Sequence, residues 1–108
     1  MELRSKSING TSIRLTEAMW RKIQDHHPEF AVTDYRDAIR DAIERPSYLV
    51  RGWGGTKIAL GWCETAPAAP KHLAVVYREL NGDGFVIAAF FISRYERLLK
   101  RGVLWQKT

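Results

Sequence analysis

Hydrophobic positions along this chain keep a helical period from Thr16 to Pro46 and switch to strand-like runs over residues 48–92, so a helical segment precedes a strand segment. From Thr16 onward Met19, Trp20, Ile23 and His27 recur near helical spacing. Thr16 suits a helix cap and Glu17 its positive end. That helix ends near His27, because Pro28 disfavours helical geometry at the residue before it. A second helix, capped by Thr33 or Asp34, carries Tyr35, Ala38, Ile39, Ala42 and Ile43 at offsets 0, 3, 4, 7 and 8, the stripe of a helix lying on a core. Arg36, Asp37, Arg40, Asp41 and Glu44 on its other side read as a solvated face, and Pro46 stops it.

Residues 48–53 and 56–62 are rich in aromatic and branched side chains around Gly54-Gly55, and predict two antiparallel strands. Residues 65–71, with Pro67 and Pro70, form a loop. Residues 72–80 and 85–92 make a second strand pair around Asn81-Gly82-Asp83-Gly84. At the start, Asn9-Gly10 suits a hairpin or an irregular lead-in strand. Near the end, residues 94–101 set Tyr95, Leu98 and Leu99 against Arg94, Arg97, Lys100 and Arg101, a short basic helix that Gly102 terminates. Val103, Leu104 and Trp105 then return as a brief strand or pack as an anchor. The expected fold is α+β: two N-terminal helices packed on a four-stranded antiparallel sheet, with a short basic C-terminal helix, all in one domain over residues 1–108.

Composition bounds the function. A chain of 108 residues with 45% hydrophobic content builds one modest core. Seventeen Lys and Arg against twelve Asp and Glu leave a formal charge of +5, which favours a polyanionic partner. Cys63 is the single cysteine, so no intrachain disulfide forms, and no paired cysteines suggest zinc. No metal and no cofactor are expected. Charges in residues 1–6 where a leader would be apolar, and the lack of an apolar run of bilayer length, predict a cytoplasmic protein without a membrane partner.

Several segments, in order, resemble the small RNases grouped as the barnase, EndoU, colicin and RelE-like nuclease fold, especially its phage and toxin-associated branches. The resemblance rests on Leu15-Thr16 followed by Trp20, Ile23 and His27-Pro28-Glu29, then Ile39, Ile43 and Pro46, then Val86-Ile87-Ala88-Ala89-Phe90. It spans most of the chain. It implies metal-free RNA cleavage in which a histidine from the helical layer and basic or hydroxyl residues from the sheet surround a phosphate. The helical histidine corresponds to His27. A threonine is common in such proteins where this chain has Ala88, so one hydroxyl is missing. Ser93 is the substitute, although its odd offset from Ala88 requires a bulge or bend to bring it to the same face.

Metal-free cleavage of RNA needs a base for the 2'-hydroxyl proton, a cation for the phosphorane and an acid for the departing 5'-oxygen. His27 is the first choice for base or acid and His26 the second, since His27 continues the Trp20 and Ile23 face and adjacent helical residues point about 100° apart. Capping and packing remain the structural roles open to His27. Arg51 and Arg78, inside strands, offer planar forks for a phosphate, or serve as edge charges. Glu29 reads as solvated, and Cys63 and His72 are too isolated to suggest chemistry. For nucleic-acid binding the choices are Trp53, exposed beside two glycines, with Arg94, Arg97, Lys100 and Arg101. Expected partners are RNA and an acidic inhibitor or antitoxin protein. A noncatalytic RNA-binding or protein-interaction module on the same scaffold is the alternative.

Overall fold

Thr16 does cap the first helix: in the computed structural model, which describes residues 2–108, its Oγ1 accepts the Met19 N–H at 3.1 Å and α1 runs Glu17–His26. After Pro28 comes a single extra turn, α2 (Glu29–Val32), and then α3 (Arg36–Glu44), whose first turn is held by Asp34 Oδ1 accepting the Arg36 N–H at 3.1 Å. The strands are β1 (Leu3–Lys6), β2 (Ser12–Leu15), β3 (Tyr48–Arg51), β4 (Lys57–Cys63), β5 (Lys71–Leu80), β6 (Asp83–Ile92) and β7 (Val103–Gln106). A four-residue helix, α4 (Glu96–Leu99), sits between β6 and β7. They form one sheet in the order β1-β2-β6-β5-β4-β3-β7, antiparallel throughout except where β2 runs parallel to β6.

This corrects the expected architecture. The sheet has seven strands and is mixed, not four-stranded and antiparallel, and the described residues hold four helices, not two N-terminal ones and a basic C-terminal one spanning 94–101. The central hairpins β3–β4 and β5–β6 lie where the aromatic and branched runs place them. The added strands β1, β2 and β7 have four residues each, too few for a period of two to stand out from noise. The glycine turn at Asn9-Gly10 joins β1 to β2, with Arg4 opposite Arg14 and Ser5 opposite Ile13.

Alternation along the strands gives the sheet two faces. One is covered by all three N-terminal helices, with Trp20, Ile23, Phe30, Ile39, Ala42 and Ile43 packed on Leu49, Ala59, Leu73, Val75, Tyr77, Val86 and Ala89. The other carries Val50, Ile58, Leu60, Ala74 and Val76 under Leu98 of α4. One short helix cannot cover that face, so an aromatic row takes over beside it. Tyr48 stacks on Tyr95 at 5.6 Å between ring centroids, His72 lies 4.1 Å from Tyr95, and Trp62 meets His72 edge-on at 5.2 Å.

Burial in that row pushes the His72 pKa down, with Glu96 pulling weakly the other way. The folded state therefore prefers the neutral ring, while the unfolded chain takes up a proton near pH 6.5. Stability supplied by His72 is complete above about pH 6.5 and falls as pH drops below it. Urea unfolding between pH 7 and 5 should show His72→Phe losing less stability on acidification than the wild type. Parallel losses in the two proteins would contradict the assignment.

Candidate functional site

The end of α1 is built by two different hydrogen bonds. His27 is the C-cap residue, with φ −134° and ψ 87°, and its backbone N–H donates to the Ile23 carbonyl at 2.9 Å. His27 therefore occupies the C-cap position, but caps through its backbone and not through its imidazole. His26, one residue earlier and still helical, donates its Nδ1–H to the Lys22 carbonyl at 2.9 Å. A carbonyl only accepts, so the proton sits on Nδ1, and in the neutral ring the Nε2 lone pair is free.

Because His27 has left helical geometry, the 100° rule that separates adjacent helical side chains no longer applies. Both rings line one open cleft of about 280 Å³ between the last turns of α1 and the edge of β6, with Lys22 beside them and Ile87, Ala88 and Ala89 as its floor. The half-buried His27 ring is held between Phe30 (6.2 Å, edge-on) and Phe90 (6.3 Å, tilted), whereas His26 is exposed. Sequence reasoning does not single out Lys22. Its position one turn before His26, on a helix already marked by two histidines, is the signal that could have found it.

The cleft exists because β2 covers little of β6. Pairing with β2 stops at Phe85, so the edge of β6 beyond it faces α1 instead of another strand. At that point the β5–β6 register slips: Tyr77 opposes Val86 and Val76 opposes Ala88, which leaves Ile87 as a bulge. Bulges re-aim side chains and are frequent beside active sites. Here the bulge precedes Ala88, and from Ala88 to Ile92 the register with β5 is regular. No bulge therefore brings Ser93 round to the Ala88 position. Ser93 is exposed in the bend after β6 and does not line the cleft.

The predicted arginines gather elsewhere. Leu49 faces the helices and Val50 the opposite side, so Arg51 follows Leu49, while Arg78 follows Val76 onto the α4 side. Both lie next to the β3–β4 turn, a 3-10 turn over Trp53–Gly55 in which Gly54 and Gly55 have φ of 59° and 79°. The Arg78 guanidinium rests on that turn: a Cβ at Gly54 or Gly55 would stand 3.9 or 3.8 Å from its terminal nitrogens. Arg101 donates its Nε–H to the Arg51 carbonyl at 3.0 Å and lays its guanidinium 4.4 Å over the Trp53 ring. Arg94, Arg97 and Lys100 lie around α4, with Arg94 and Arg97 exposed and Lys100 exposed at its end. Thus the residues chosen from sequence fall into three places, His27 in the α1–β6 cleft, Arg51, Arg78, Trp53 and Arg101 around the β3–β4 turn, and Ser93, Arg94, Arg97 and Lys100 at the bend after β6 and around α4, and the cation at the cleft is Lys22.

Among the described residues no group of three or more His, Cys, Asp or Glu is placed to hold a metal ion, and no helix is long and apolar enough to cross a membrane. The class so defined is an α+β domain with a paired-histidine cleft at a half-open sheet edge and a separate arginine and tryptophan cluster. Compared with known proteins, the chain matches no family model, no curated protein and no solved structure.

Proposed function

We propose that this domain is a small cytoplasmic, metal-independent ribonuclease of the barnase, EndoU, colicin and RelE-like kind. The observation that supports it most is the convergence of His26, His27 and Lys22 in one cleft. One imidazole takes the 2'-hydroxyl proton as O2' attacks phosphorus, and the other gives a proton to the 5'-oxygen as the P–O5' bond breaks, leaving a 2',3'-cyclic phosphate and a 5'-hydroxyl. The Lys22 ammonium balances charge on the phosphorane. Aromatic packing of His27 between Phe30 and Phe90 limits the directions in which its ring can point.

Incubation of a defined RNA in EDTA tests this reading. Wild type should yield a 2',3'-cyclic phosphate, and His27→Ala and His26→Ala should each lower the rate by about 10²–10⁴-fold. Equal rates in all three proteins, or no cleavage by any of them, would remove the mechanism.

A noncatalytic RNA-binding module is the second reading, favoured by one observation: the Ala88 methyl stands in the cleft where the resembled family carries a threonine hydroxyl. Salt-sensitive RNA binding without turnover, together with cleavage appearing in Ala88→Thr, would select it.

A further inference from the structure

The β3–β4 turn carries a cluster that the cleavage step leaves unused. Trp53 is 51% exposed although its indole packs under the Arg101 guanidinium, so the cation covers part of the ring and leaves much of it open to solvent. Arg78 lies against the same turn, and Arg51 is tied to Arg101 through its carbonyl. None of the three arginines forms an ion pair with a carboxylate among the described residues. The acid next to Arg78 in sequence, Glu79, points to the opposite sheet face and is engaged by Lys57 at 3.5 Å and Thr11 at 3.1 Å. Guanidiniums without counter-charges around an exposed indole match a ligand that offers both anions and a flat ring.

We propose that this cluster is a separate subsite for single-stranded RNA, in which one unpaired base stacks on the open part of Trp53 and flanking phosphates engage Arg101 and Arg78. The proposal rests on RNA being the ligand, as in the reading above, but not on cleavage. An indole stacks on any base, so the subsite selects for unpaired strand and not for sequence. A duplex keeps its bases stacked on one another and cannot use Trp53 in this way. The glycines matter to the geometry: their positive φ values, which L side chains rarely adopt, fold the turn tightly and hold the indole beside Arg78. The Trp53 turn joins β3 to β4, at least two strand spacings or about 10 Å across the sheet from the β6 cleft, with Arg78 on the intervening β5, so the indole adds hold on the strand without touching the reacting phosphate.

A 2'-O-methyl oligoribonucleotide, which lacks the attacking hydroxyl, separates binding from cleavage. By fluorescence anisotropy the wild type should bind it more tightly than the same oligomer annealed to its complement. Trp53→Ala should weaken single-strand binding about tenfold or more, while Trp53→Phe retains most of the affinity. Arg78→Gln and Arg101→Gln should each lower the slope of log affinity against log salt by about 0.7, the contribution of one phosphate contact to a single strand. Arg4→Gln, on the opposite edge strand β1, should bind like the wild type, and circular dichroism should show each variant folded. Equal single-strand affinity in Trp53→Ala and wild type, or equal wild-type affinity for strand and duplex, overturns the subsite while leaving the cleavage reading to its own test. A wild type that binds no RNA but does bind an acidic protein overturns both.

Discussion

Phe30→Ala should lower stability by about 3–5 kcal/mol, a large part of the 5–15 kcal/mol available to a domain of this kind. Phe30 is 1% exposed, stacks on Phe91 with centroids 5.1 Å apart and meets Trp20 and Tyr35 edge-on at 6.0 and 5.7 Å. Alanine there would open a cavity at the junction of α1, α2 and the sheet, and forfeit several aromatic contacts together. Urea denaturation should show a fall in midpoint with an unchanged slope. Phe30 also packs against the His27 ring. Phe30→Leu, which keeps most of the volume, should therefore stay folded and, under the proposed cleavage mechanism, cut RNA more slowly than wild type with unchanged affinity for the 2'-O-methyl oligomer. A Leu variant as active as wild type would show that Phe30 supports the fold alone and does not position His27.

Gly61→Ala is expected to cost about 1–3 kcal/mol, far more than a single methyl group suggests. Gly61 lies in β4 under α3, where a Cβ would stand 2.8 Å from the Ala42 Cα and 2.9 Å from its Cβ. The obstacle is helix backbone, which cannot rotate away as a side-chain tip would, so α3 has to lift off the sheet. Adding Ala42→Gly removes the collision with the methyl group but leaves the one with the helix backbone, and it introduces a helix-interior glycine that itself costs up to about 1 kcal/mol. The double variant should accordingly be more stable than the sum of the two single effects predicts, a coupling that thermal unfolding of the four proteins measures. Strict additivity would mean that α3 does not rest on β4 at this point.

Legibility followed the length of each pattern and the polarity of what it buries. The stripe of α3 was readable because five apolar residues repeat on one face, and β5 and β6 because their apolar runs are long. In β1 the inward position is Ser5, 4% exposed, so the alternation that defines the strand is present in space but invisible as hydrophobicity. In β7 the relation is reversed, since Val103 and Leu104 are 43% and 45% exposed. Both strands owe their state to the neighbour they pair with, and pairing across the whole chain leaves no local trace. At the cleft, His27 was readable, but ranking His26 below it on the 100° spacing assumed a helix that had already ended. The interleaving of Trp53 with basic residues was also readable. What the sequence pattern could not convey was that Arg101, half a chain away, folds back over that indole.

The parallel pairing of β2 with β6 has a consequence for the order of assembly. Ser12, Ile13 and Arg14 find their partners at Asp83, Gly84 and Phe85, with most of the chain between them, so closing that contact early would cost loop entropy with little in return. The β1–β2 hairpin is made before every other element described here and is among the last able to dock. Until the β5–β6 hairpin has formed and offered its edge, β2 lacks its second strand partner, and the β1–β2 hairpin has only α3 to rest against.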